Sequence, residues 1–86
     1  MATEPDDLTA WIADLRARVA RGDLAALGRV ELDGGVILAA EQATRIMLAD
    51  LDHYEDLPPR WRGDLTVVAR REALLRDFRR LREQIG

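Results

Sequence analysis

The chain has no cysteine, which excludes disulfides and thiolate chemistry. A single histidine leaves no Cys/His cluster of the kind that staples small domains with metal. Serine, lysine and asparagine are also missing. Without serine the commonest hydroxyl nucleophile is gone, and only Thr3, Thr9, Thr44 and Thr66 carry an aliphatic hydroxyl. Every basic side chain is arginine, as a GC-rich coding sequence would give, since lysine and asparagine codons are AT-rich. No apolar run approaches the roughly 18 residues of a membrane span. The acidic start, Met1–Asp7, is the opposite of a signal peptide's basic n-region. A soluble cytoplasmic protein is therefore expected. The chain also lacks a glycine-rich phosphate loop and a convergent carboxylate pair, so no catalytic residue, cofactor, metal or small-molecule substrate is expected, and the reading is of a protein that is not an enzyme.

What is present is charge, unevenly placed. The 86 residues hold 16 acids and 13 arginines, a net of −3. Residues 1–56 carry twelve acids against five arginines, a net of −7, and residues 57–86 carry eight arginines against four acids, a net of +4. The halves attract, within the fold, between subunits or towards an acidic partner. The length suits one small domain, residues 1–86, which buries only roughly 60 to 65% of its unfolded surface. No internal repeat, low-complexity segment or flexible linker divides it.

Periodicity predicts a mainly α fold, a three-helix domain with a β-hairpin between helix 1 and helix 2. Leu8, Trp11, Ile12, Leu15 and Val19 form a helical stripe that predicts a helix over about 5–21, with Thr3, Asp6 and Asp7 as candidate caps and Gly22 as its stop. Asp14 and Arg18 are spaced to pair on its exposed side. Residues 29–38, RVELDGGVIL, place apolar runs on both sides of Asp-Gly-Gly, a hairpin signal because two glycines accept positive φ. Val30, Leu32 and some of Val36, Ile37 and Leu38 would face the helices. The competing reading is a loop leading straight into a helix near Val36. A second helix over about 40–56 would bury Ala43, Ile46, Met47, Leu51 and Tyr54, pair Glu41 with Arg45, and carry Asp50 inside its apolar arc. Leu57-Pro58-Pro59 then ends the helix and opens a turn over 57–63.

The last helix, about 64–85 with Asp64 as cap, holds six arginines. Val67, Leu74, Phe78, Leu81 and Ile85 follow a heptad seam, and Arg71 occupies the remaining seam position. An arginine there must pair, line a groove or reach water along its stem. Asp50, the one carboxylate equally misplaced on an apolar face, is the candidate partner for a structural ion pair. Elsewhere on the helix Glu72 is spaced to pair with Arg76.

Three further features bear on function. Arg60, Trp61 and Arg62 in the proline turn, with Arg71, Arg76, Arg79 and Arg82 on the last helix, form a candidate contact surface, since tryptophan and arginine are enriched at energetic centres of interfaces. The same basic helix suits phosphate contacts, against which stand its interleaved Glu72, Asp77 and Glu83 and the acidic remainder of the chain. In the acidic run Asp50–Asp56, His53 stands without a second histidine, so a charged surface is expected there in place of a metal site. The expectation is a protein–protein interaction or assembly module, an adaptor, an inhibitor or a minor structural subunit, as a homo-oligomer or as part of a larger assembly. A small nucleic-acid-binding regulator is the alternative.

Overall fold

The computed structural model of the chain describes residues 7–86. Its elements run α1 (Asp7–Ala20), β1 (Arg29–Glu31), β2 (Ile37–Ala39), α2 (Ala40–Glu55), α3 (Pro59–Arg62) and α4 (Leu65–Ile85). This is the expected mainly helical order with an antiparallel hairpin between the first two helices. The proposed caps Thr3 and Asp6, and the first residues of the helix expected over 5–21, lie outside the described residues.

α1 buries Ile12, Leu15 and Val19 and packs Leu8 and Trp11 at the core's margin. It stops where the sequence placed the stop. Asp23 N–H donates to Arg18 O (3.0 Å) and Gly22 N–H to Val19 O (3.0 Å), the paired bonds of a Schellman cap, with Gly22 at φ 76°. That φ is the left-handed region that only glycine enters without a Cβ penalty. The reversal turns the chain so that Leu24 falls into the core.

The hairpin forms with register Arg29↔Ala39, Val30↔Leu38 and Glu31↔Ile37, closed by a single 3-10 turn at Asp33–Gly35 in which Gly34 takes φ 78°. Val30 is buried and Leu32 and Leu38 pack at the core's edge. Of Val36, Ile37 and Leu38, some of which were expected on the inner face, Leu38 is the one that packs there, and Val36 and Ile37 are exposed. Ile37 lies opposite Glu31, so alternation puts both on the outer side.

α2 corrects the sequence reading of its face. Its buried residues are Ala40, Ala43, Thr44, Met47, Leu48 and Leu51, whereas Ile46 is exposed. Thr44 replaces Ile46 on the inner side because its hydroxyl donates to Ala40 O (2.8 Å) within the same helix, so its burial leaves no polar atom unpaired. The rotated arc leaves Asp50 outside it, exposed to water.

The prolines end α2 as expected, but the connection 57–63 is not simply a turn. Pro59 sits at the first position of α3, where its missing N–H costs nothing and its fixed φ suits a helix. Asp64 then caps α4, its carboxylate accepting from Thr66 N–H (2.9 Å) and Val67 N–H (3.2 Å). Leu74, Phe78 and Leu81 of α4 complete the core with α1, α2, Leu24 and Val30.

Candidate functional site

The candidate surface starts where α4 outruns its cover. Its C-terminal half meets three neighbours. α2 lies alongside, Arg82 Nη1 reaches Asp7 of α1 (3.1 Å), and Arg18 Nη1 of α1 donates to Gly86 O (3.2 Å). Gln84 ties in the hairpin, accepting from Glu31 N–H (2.9 Å) and donating to Glu31 O (2.8 Å). Among the described residues, the N-terminal half lines its hollows with the last turn of α2, the side of α3 and, near Arg71 and Leu75, part of α1.

The result is an apolar strip in water. Trp61 is 47% exposed, Leu65 84% and Val68 40%. Beside them a groove of about 390 Å³ is lined by Tyr54 and Glu55 of α2, Arg62 of α3, and Val67, Val68, Arg71 and Glu72 of α4. A second hollow of about 200 Å³, between α1, α2 and α4, shares Glu55 and Arg71 with the first. Arg71 therefore stands at the junction of the two.

The residues picked from sequence divide into two groups. Arg60, Trp61 and Arg71 are exposed at the strip and groove, and the Arg60 guanidinium lies 5.9 Å from the centre of the Trp61 ring, within cation–π range. Arg76 and Arg79 are also exposed, with Arg80, beside Asp33, Asp77 and Glu83. Arg62 and Arg82 are instead occupied within the fold. Arg62 Nε donates to Leu57 O (3.0 Å) and its Nη2 to Glu55 O (3.1 Å), so a cation sits at the negative end of α2 and ties α3 to it. Arg82 is held by Asp7.

The proposed ion pair between Asp50 and Arg71 is not formed. Both side chains are exposed, and the ion pairs among the described residues are Arg16–Asp52 (2.7 Å), Arg21–Asp23 (2.9 Å), Arg45–Glu41 (3.7 Å) and Arg82–Asp7 (3.1 Å). The physical reason is twofold. The arc of α2 is turned away from Asp50, and α4 is uncovered at Arg71, so neither charge is desolvated and neither needs the other. The expected Glu41–Arg45 pair is present. The Asp14–Arg18 and Glu72–Arg76 pairs are not, and Arg18 is spent on the carbonyl of Gly86. Among the described residues only one arginine after residue 56 is ion-paired, so the opposite charges of the two halves mostly stay on the surface.

Among the described residues no group of three metal-ligating side chains converges, and no helix is long and apolar enough to cross a membrane. His53 meets Tyr54 edge to face, ring centres 5.7 Å apart. Comparison of the chain with protein-family models, with curated proteins and with solved structures returned no match.

Proposed function

We propose that this chain is a protein–protein interaction or assembly module whose contact surface is the start of α4 together with α3. The observation that carries the reading is the strip Trp61, Leu65 and Val68, apolar and water-facing beside the groove walled by Tyr54 and Val67. Contiguous exposed apolar surface of this kind favours association, and a tryptophan beside free arginines supplies the side chains that most often dominate binding energy. Arg60 and Arg71 are the arginines placed to contribute. Arg62 holds the surface in shape by fixing α3 on α2. The role is one of binding, with no catalytic step assigned to any residue.

A photo-crosslinking residue at position 68, with one at exposed position 17 on α1 as control, tests this in the protein's host. One defined adduct at 68 that is absent at 17 and lost with Trp61→Ala is the expected outcome. Equal labelling at both positions overturns the reading.

The second reading is a small nucleic-acid-binding regulator that uses the outward face of α4, where Arg76, Arg79 and Arg80 are exposed and make no ion pair among the described residues. DNA binding that weakens steeply as salt rises would favour it over the first. No binding at about 50 mM salt would end it.

A further inference from the structure

The two edges of the hairpin are treated differently by the fold. The pairs Gly28/Ala40 and Leu32/Val36 are hydrogen-bonded, Ala40 N–H donating to Gly28 O (2.8 Å) and Leu32 N–H to Val36 O (2.7 Å). Antiparallel pairs alternate between bonded and non-bonded, so Glu31 and Ile37, which are paired with each other, aim their N–H and C=O groups away from the hairpin. On the β1 side both groups of Glu31 are satisfied by the side-chain amide of Gln84. That edge is closed at Glu31. On the β2 side Ile37 has no such partner among the described residues. Its side chain is 58% exposed and that of Val36 49%.

The extended residues of that edge, Val36 to Ala39, carry no charge, no proline and no bulge, so the shortness of the strand is the one guard against pairing that it has. The extended residues Val36, Ile37 and Leu38 are close to symmetric in side-chain size about Ile37. An antiparallel copy of the strand, related by a two-fold axis at Ile37, sets Ile37 opposite Ile37 and Val36 opposite Leu38, while Gly34 and Gly35 in the turn and the buried Ala40 of α2 take no part. Each apolar side chain meets one of similar size. A two-fold interface requires this self-complementarity.

We propose that β2 is an association edge for a second copy of this chain, the two hairpins joining through Ile37 into a four-stranded antiparallel sheet with reciprocal Ile37 N–H to Ile37 O bonds across the axis. The contact goes beyond the α4 surface and uses none of its residues. Three-residue strands bury little area, so the dimer is concentration-dependent, well below the roughly 1,200 Å² of a standard stable interface.

Sedimentation equilibrium of the full chain, from micromolar to millimolar, tests the proposal together with amide exchange at Ile37. The weight-average mass should climb from 9.7 kDa towards twice that, and exchange at the Ile37 amide should slow as concentration rises. Ile37→Pro removes the outward donor without breaking a hydrogen bond of the hairpin, and should hold the mass at the monomer value with an unchanged circular dichroism spectrum. Ile37→Lys, which keeps the backbone donor but adds an edge charge, should do the same if the proline variant misfolds. A monomer at all concentrations overturns the proposal, as does a dimer that survives Ile37→Lys or a dimer abolished by Val68→Glu alone. The last result would move self-association to the α4 surface.

Discussion

The two halves of α4 carry one heptad seam but are covered differently. Leu74, Phe78 and Leu81 are buried, whereas Val67 at the start of the seam is only half-buried, Arg71 is exposed where a leucine would complete the pattern, and Leu65 and Val68 beside the seam face water. Propensity does not separate them. The difference lies opposite the helix, where α1, α2 and the hairpin converge on the second half and, among the described residues, the end of α2, α3 and a margin of α1 line the first. A seam in sequence states which face a helix offers, and the length and crossing of its neighbours decide how much of that face is taken.

The strongest way to break the comparison is a matched pair of truncations. Phe78→Ala removes a fully buried ring from the core and should cost about 3 to 5 kcal/mol, a large share of the roughly 5 to 15 that a small domain holds. Val68→Ala, one turn and a half beyond the buried stretch, should stay within about 0.5 kcal/mol. Urea unfolding followed by circular dichroism measures both. Similar losses at the two sites would mean that the first half is covered in solution by something the isolated chain supplies.

Arg62→Ala sharpens the comparison from the other side, since it loosens α3 on the end of α2, two of the elements that contact the first half. Removing a charged donor from the carbonyls of Glu55 and Leu57 should cost about 1.5 kcal/mol, the lower end for charge-assisted bonds because the group is solvent-exposed. The loss should be local. Amide exchange should speed up over residues 56–66 while that of Phe78 and Leu81 changes little, and Trp61 fluorescence should shift towards that of a fully hydrated indole.

Asp64→Ala should cost about 1 kcal/mol by leaving Thr66 N–H and Val67 N–H without their cap. Asp64→Asn should recover most of it, because the amide oxygen still accepts. Thermal melts of the three proteins give the order directly.

Much of this architecture is legible without coordinates. The stop at Gly22, the Asp-Gly-Gly reversal, the proline break and the Asp64 cap are local chemistry, each settled by a few adjacent residues. What is not legible is contact between distant parts. Gln84 matching the backbone of Glu31, Arg18 reaching Gly86, Arg82 meeting Asp7 and Arg62 crossing to the end of α2 join residues whose partners no periodicity identifies. The buried face of α2 departs from its apolar periodicity for a related reason. A scale that ranks isoleucine as buried and threonine as exposed has no term for a hydroxyl that satisfies itself on its own helix. As for the contact surface, Trp61 and Arg60 are conspicuous in sequence, but the groove beside them exists only because Tyr54 and Val67 are brought together by the turn at α3.

The smallest effect is expected at the residue where pattern and charge most clearly disagree. Arg71 lies on the groove between Val67 and Leu75, which lets its aliphatic stem cover apolar surface while the guanidinium stays in water. Methionine keeps a similar stem and loses only a solvated charge, so Arg71→Met should change stability by no more than about 0.5 kcal/mol. A double-mutant cycle with Asp50→Asn should give coupling near zero, because the two side chains are separately hydrated. Coupling above about 1 kcal/mol would restore the seam ion pair and with it a register-fixing role for Arg71. Among the described residues the guanidinium of Arg71 has no ion-pair partner, so coupling near zero would leave its charge without a part in stability.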